Sequence, residues 1–249
     1  MIETFAALLL AHMLADFPLQ STWIAHGKAR RDPRALAVHI GTHFGATLLI
    51  LGTWHWAIAA LAAAHLAIDI AKSFAPQGKL WPFLADQLAH VVSLVAIAAL
   101  VPGLWSSGLW AAEIAPPLID AVPGIFAVLA GLIAATTAGG YAVGFLLAPF
   151  VPAPTDDGDT GLPDAGRMIG LLERGLVFLL LLAGQPAGIG FLIAAKSVLR
   201  FNEAAKTRAA SEYIIIGTLA SFGWAIAVAW ATLALLRALP AIGIFTQVP

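Results

Sequence analysis

Histidine and aspartate residues recur in pairs, four positions apart, within the first 90 residues of this chain. The pairs are His12/Asp16, His39/His43, His65/Asp69 and Asp86/His90. On an α-helix, residues i and i+4 lie one above the other, with Cβ atoms about 5–6 Å apart. Each pair can therefore present two metal-ligating side chains from one face of a helix.

Chance placement does not account for this density of pairs. Histidine and aspartate together number 16 of the 249 residues, so random order would give about one such pair in the whole chain. The alternative interpretation is that the pairs form interhelical hydrogen bonds that hold a membrane bundle together. That role requires neither so many pairs nor a shared depth, and we favour a single shared site.

The composition indicates an integral membrane protein. Hydrophobic residues make up 60% of the chain and charged residues 11%, against about 25% charged in ordinary globular domains. A net charge of −1 argues against a nucleic-acid partner, which would need a basic face. Because the chain has no cysteine, any transition metal must be held by histidine and carboxylate.

Apolar runs of membrane length, about 17–25 residues each, predict an all-α fold, a polytopic transmembrane helical bundle with about eight membrane segments. We expect a four-helix membrane half at residues 1–101 that carries the His/Asp pairs. An outer loop with an interfacial helix follows at 102–123, and a second membrane half with a cytoplasmic basic cluster at 124–249. The first segment lacks a basic n-region and is expected to be retained as a helix. The seventh, Gly188 to Phe201, is short and is either a span or a re-entrant helix.

The alternation of helix direction places the four pairs at one depth. Basic loops follow the first, third and seventh segments, so these loops are assigned to the cytoplasm. The first and third pairs then lie near the cytoplasmic ends of their helices, and the second and fourth lie near the cytoplasmic starts of theirs. All eight side chains are therefore expected to converge.

The residue types in this set favour a transition metal. Three buried aspartates would carry −3, which one or two divalent cations, helped by Lys72, would offset. Five imidazoles beside three carboxylates suit Zn²⁺, Mn²⁺ or Fe²⁺ better than Mg²⁺ or Ca²⁺, and zinc is our first expectation. Di-metal four-helix bundles are built from ligand pairs on facing helices in the same way. Asp16 or Asp86 is assigned as a general base outside the ligand set.

A second polar cluster lies late in the chain. Lys196 and Arg200 are again four residues apart, and Arg174 lies nearby in sequence beside Glu173. These cations predict a site for an anion such as a lipid phosphate or carboxylate. The alternative is a solvated cytoplasmic end that follows the positive-inside rule.

Several stretches resemble a known family. They are His12-Met-Leu-Ala-Asp16-Phe-Pro-Leu-Gln20, His65-Leu-Ala-Ile-Asp69, Asp86-Gln-Leu-Ala-His90, Ala195-Lys196-Ser197 and Ile216-Gly217-Thr218. Together they resemble the bacterial membrane proteins catalogued as domain of unknown function 3307, which implies a multi-pass protein of the bacterial inner membrane but no established activity. In residue type the pairs are also similar to membrane-bound metal-dependent hydrolases.

These observations lead us to expect a membrane-embedded metal-dependent hydrolase. Its substrate would be a lipid or lipid-linked ester, amide or phosphoester at the cytoplasmic leaflet. The main alternative is a divalent metal-ion transporter or a metal-sensing membrane protein, although a conduit should continue its polar residues across the bilayer. A di-iron oxidase of the desaturase type is a third option, but its His-x-x-His-His box is absent from the sequence. The sequence leaves the oligomeric state open.

Overall fold

The computed structural model describes residues 1–116, 118–151, 164–199 and 208–240. Within these ranges the regular elements are helical and no strand occurs, which confirms the all-α fold class. The chain forms two compact units. The first contains Met1–Ile133 with the end of the last helix from Ala234, and the second contains Ala134–Leu233. The sequence had placed the second half from residue 124 onward.

The first unit contains the helices that carry the His/Asp pairs. They are α1 (Ile2–Asp16), α2 (Thr22–Ala29), α3 (Pro33–Leu51), α4 (Trp56–Ser73), α5 (Leu80–Leu100), α6 (Leu109–Glu113) and α7 (Leu118–Ile133). The second unit contains a π-helical turn (Ala134–Ala138), α8 (Gly139–Leu147), a 3₁₀ turn (Ala148–Phe150), α9 (Ala165–Leu182), α10 (Ala187–Leu199) and most of α11 (Arg208–Arg237).

Short polar residues set the helix boundaries around the pairs. The Ser21 hydroxyl accepts a hydrogen bond from the Ile24 amide and starts α2. Asp32 caps α3, and the proline after it occupies the first helical position, where its missing N–H has no intrahelical role. Gly52 ends α3 with φ +63°, a left-handed conformation that glycine adopts without strain.

One expectation for this region was wrong. The sequence between Leu19 and the start of α3 was interpreted as a loop, whereas the Ser21 cap begins a two-turn helix there. This α2 packs closely on α3, because a Cβ at Gly27 would collide with the Cβ of Ala35. The close approach fixes the position of Lys28, the residue that follows Gly27.

Five stretches are long and apolar enough to cross a membrane, so the chain has the character of a membrane protein. They are Pro33–Leu51, Trp56–Ser73, Leu80–Leu100, Leu118–Phe150 and Arg208–Arg237. The expected number of about eight segments is not confirmed. Helix α1 has 15 residues and α10 has 13, fewer than the about 20 that a span usually needs, and α9 has 18 residues but contains Arg167, Glu173 and Arg174. Trp54 and Trp56 are exposed between α3 and α4, as interfacial aromatic residues are in membrane proteins.

An apolar core fills the first unit one turn beyond the His/Asp pairs. Leu8 precedes His12 by one turn on α1, Leu61 precedes His65 on α4, and Leu94 follows His90 on α5. These residues are at most 1% exposed and pack in one cluster with Leu51, Ile58 and Leu104. At the same end, the Thr4 hydroxyl donates to the Pro102 carbonyl at 2.9 Å and accepts from the Trp105 amide at 3.2 Å. The polar residues of the pairs therefore lie at the other end of this core.

Candidate metal centre

Four different helices bring the eight paired residues into the interior of the first unit. Helices α1, α3, α4 and α5 each contribute one pair, and every one of the eight residues is at most 5% exposed. Seven of them belong to groups of three whose ligand atoms lie within 4.8 Å of one another, namely His12, Asp16, His39, His43, His65, Asp69 and His90. The pairs therefore face one another, as the helical spacing predicts.

Four of these atoms, called the tetrahedral set for the coordination they could offer, lie close together. They are Asp16 Oδ1, His39 Nε2, His65 Nε2 and Asp69 Oδ2. His39 Nε2 is 3.3 Å from the Asp16 atom and 3.2 Å from the Asp69 atom. His65 Nε2 is 3.2 Å and 3.5 Å from the same two oxygens, and 2.9 Å from His39 Nε2. A tetrahedral Zn²⁺ held at about 2.0–2.1 Å requires ligand atoms about 3.3–3.4 Å apart, and these five distances are close to that value.

A second group of imidazoles adjoins this tetrahedral set. The ring centroids of His43 and His90 each lie 4.2 Å from that of His65, and the His12 ring stacks on His90 at 4.8 Å. Both ring nitrogens of His43 and Nε2 of His90 are buried without hydrogen-bond partners. Buried polar atoms are nearly always partnered in folded proteins, so these nitrogens are available to an ion.

His90 has a defined tautomer. Its Nδ1 lies 2.9 Å from the backbone carbonyl of Asp86, and a carbonyl oxygen can only accept. Nδ1 must therefore carry the proton and donate it, which leaves the Nε2 lone pair free for a metal. Such contacts from the other ring nitrogen orient metal-binding histidines in known sites.

Asp86, by contrast, lies outside the groups of ligand atoms. Its Oδ2 accepts hydrogen bonds from Lys72 Nζ at 2.6 Å and from Gln87 Nε2 at 3.1 Å. Its Oδ1 is buried without a hydrogen-bond partner and lies 3.6 Å from His90 Nδ1. The structure thus places Asp86 beside the imidazole group and fixes one of its oxygens.

Lys28 is the main site residue that the sequence analysis missed. Its Nζ lies 2.8 Å from Asp69 Oδ1 and 2.9 Å from His39 Nε2, and donates to Gln20 Oε1 at 3.0 Å. Gln20 in turn donates to the backbone carbonyl of Asp16 at 3.0 Å. With Lys72, this lysine brings two positive charges to the three carboxylates. The Ser21 cap was a local signal for α2, but no local signal showed where α2 would pack.

The predicted anion-binding residues have separate partners within the second unit. Arg174 is 5% exposed, and its Nε and Nη2 donate to the Thr136 carbonyl at 3.1 and 2.9 Å. Its Nη1 donates to Ser221 Oγ at 3.3 Å. That carbonyl belongs to the π-helical turn, where the normal helical hydrogen-bond pattern is interrupted. Lys196 instead pairs with Glu173 at 2.7 Å.

Arg174 is closely enclosed in this unit. A Cβ at Gly139 or Gly170 would lie 3.0 Å from the Arg174 side chain. Arg200 falls outside the described residues, so a shared anion site for Arg174, Lys196 and Arg200 stays a prediction.

Comparison with known proteins identifies a family over the region that forms this centre. Residues 4–113 match the family model described as protein of unknown function (DUF3307), which confirms the resemblance noted from the sequence. This segment contains all four His/Asp pairs and Lys28. No curated protein and no solved structure matches the chain, so these comparisons do not support the looser likeness to membrane-bound metal-dependent hydrolases.

Proposed function

We propose that this protein is a membrane-embedded metalloenzyme that holds one or two transition-metal ions, zinc in the first instance, among its His/Asp pairs. The observation that carries the proposal is the close approach of His39 Nε2 and His65 Nε2 to each other and to Asp16 Oδ1 and Asp69 Oδ2, at 2.9–3.5 Å. Burying such a set of lone pairs and negative charges is unfavourable unless a cation neutralises them. Mixed imidazole and carboxylate donors suit zinc.

The proposed reaction is hydrolysis of a lipid or lipid-linked ester, amide or phosphoester. A zinc ion bound by three of these donors would keep a position open for water, supply a Lewis acid and lower the pKa of that water. Asp86 is assigned as the proton acceptor, because it lies beside the ligand groups without belonging to one and its Oδ1 has no hydrogen-bond partner. Lys72 and Gln87 orient it through Oδ2. Asp16, the other candidate base, is assigned to the ligand set.

The proposed location is the inner membrane of a bacterium, with the centre near the cytoplasmic leaflet. Five membrane-length stretches support a membrane protein, and helices α1, α9 and α10 are proposed to complete a bundle of about eight segments. The basic residues from α2 to the first turn of α3, Lys28, Arg30, Arg31 and Arg34, support a cytoplasmic position for the end of the bundle that holds the pairs.

Packing in the first unit favours a resident ion over a conducted one. An ion pathway needs polar groups or water along the whole bilayer thickness. In the part of this unit that the structure describes, the positions one turn beyond three of the pairs are filled by Leu8, Leu61 and Leu94, and the one on α3 is Thr47, whose hydroxyl donates to the His43 carbonyl at 2.8 Å. Metal transport is therefore the alternative outcome of the experiment and not the proposal.

The experiment measures metal content, lipid turnover and metal uptake on one preparation of reconstituted protein. We expect bound zinc, a lipid product detected by mass spectrometry, and no zinc uptake into proteoliposomes. Asp86→Asn should keep the metal and lose turnover, because it removes the proton acceptor and no ligand. Asp120→Asn is the matched control, since Asp120 is exposed on α7, and should change neither quantity.

Each other outcome contradicts a defined part of the proposal. Zinc uptake without lipid turnover would make the protein a transporter. Bound zinc with neither activity would leave a structural or sensing role, and folded protein without metal would refute the metal centre itself.

A further inference from the structure

We propose that Lys28 is a built-in competitor of the metal, an ammonium group that contacts the ligand set and must leave His39 when an ion binds. The inference rests on the proposed metal centre and adds a control on its affinity. Lys28 lies on α2, the short helix that packs closely against α3 at Gly27.

The competition is for a single lone pair. A lysine ammonium has three donors and no acceptor, so the 2.9 Å contact between Lys28 Nζ and His39 Nε2 uses the imidazole lone pair. The same His39 atom is a corner of the tetrahedral set, 3.2 and 3.3 Å from the two carboxylate oxygens. Coordination of a metal by His39 Nε2 uses that lone pair as well. The lysine contact and the metal bond therefore exclude each other.

Electrostatics act in the same direction. A divalent ion inside the tetrahedral set would lie within a few ångströms of the Lys28 ammonium, and like charges at such distances repel strongly in a buried site. Only 12% of the Lys28 side chain is exposed, so solvent screens little of this repulsion. The protein with Lys28 on His39 and the protein with metal on His39 are therefore two alternative states.

The remaining contacts of Lys28 show how the exchange is possible without unfolding α2. Gln20 Oε1 lies 3.0 Å from Nζ, and Asp69 Oδ1 lies 2.8 Å from it. The Asp69 atom in the tetrahedral set is the other oxygen, Oδ2. Lys28 can thus keep both oxygens as partners while it gives up His39, and after loading it supports the Asp69 ligand from outside.

The direction in which Lys28→Met changes the zinc affinity separates competition by Lys28 from support of the Asp69 ligand. If Lys28 only oriented Asp69, then Lys28→Met would weaken zinc binding. If Lys28 competes, the same change removes the competitor, and a hydrogen bond of this charged type corresponds to an affinity gain of about ten- to hundredfold. Zinc affinity is measured by competition with a chelator on the full-length protein in detergent. Lys28→Arg, which keeps the charge and also lacks an acceptor, should stay nearer to the wild type than Lys28→Met.

Lys79→Met is the matched control, because Lys79 is exposed before α5, and it should leave the affinity unchanged. An unchanged or weaker affinity in Lys28→Met, with zinc still bound by the wild type, would overturn the role of Lys28 and leave the metal centre intact. Failure of both proteins to bind zinc would instead remove the metal centre, and the competition with it.

A second measurement uses the wild type alone and does not depend on the folding of a variant. Acetylation of Lys28 by acetic anhydride is followed by peptide mass spectrometry with and without zinc. Release from His39 should raise the labelling of Lys28 on zinc addition, while Lys79 stays constant. Equal labelling of Lys28 in the two states would contradict the exchange.

Discussion

His65→Ala should remove about a quarter of the metal-binding free energy. His65 Nε2 is one of the four atoms of the tetrahedral set, and His65 belongs to three of the four ligand groups. Structural zinc sites bind with about 10–16 kcal/mol, so one ligand in four corresponds to about 2.5–4 kcal/mol. The dissociation constant for zinc should therefore rise roughly 10²–10³-fold.

The control for this substitution lies one turn away on the same helix. Leu61 is as buried as His65, at 1% exposure, but it carries no ligand atom. Leu61→Ala should lower the free energy of unfolding by about 2–5 kcal/mol through the cavity that it leaves. Its zinc affinity should stay close to the wild-type value. The two variants therefore separate loss of a ligand from loss of core packing.

Zinc affinity is measured by chelator competition, and the unfolding of metal-free protein is followed in the same detergent. The reasoning is refuted if His65→Ala binds zinc as tightly as the wild type. It is also refuted if Leu61→Ala loses as much zinc affinity as His65→Ala, because the effect would then come from disturbed packing and not from the missing imidazole.

One further prediction concerns the second unit. Arg174→Met should lower the free energy of unfolding by about 1–3 kcal/mol, because it removes the donors that lie 2.9 and 3.1 Å from the Thr136 carbonyl. Zinc affinity should not change, and thermal melts and metal content measure the two effects. An unchanged melting temperature with loss of anionic-lipid binding would instead support the anion site.

The convergence of the His/Asp pairs was predictable because it depends on two regular features of helices. A spacing of four residues places both side chains of a pair, such as His65 and Asp69, on one face. The antiparallel order of successive helices then places all pairs at one depth. Neither feature needs the identity of the loops, so errors in helix boundaries did not affect the prediction.

Lys28 and the environment of Arg174 were not predictable, because both depend on packing between distant segments. Lys28 reaches the centre because Gly27, which has no side chain, lets α2 approach Ala35 of α3. No periodic pattern in so short a helix shows which face will be buried. In the second unit, the run that contains Thr136 is apolar and reads as continuous helix. The interrupted helical pattern at Ala134–Ala138, which allows Arg174 to reach a backbone carbonyl, has no signal in composition.

Leucines one turn beyond three of the pairs close the apolar end of the proposed metal centre, within the part of the first unit that the structure describes. An ion that arrives from the polar end must return through the same end. Its arrival and departure rates then depend on the free-ion concentration of a single aqueous compartment. If the ion is resident as proposed, it does not cross the bilayer, so the membrane potential performs little work on it and occupancy should be nearly independent of whether the membrane is energised.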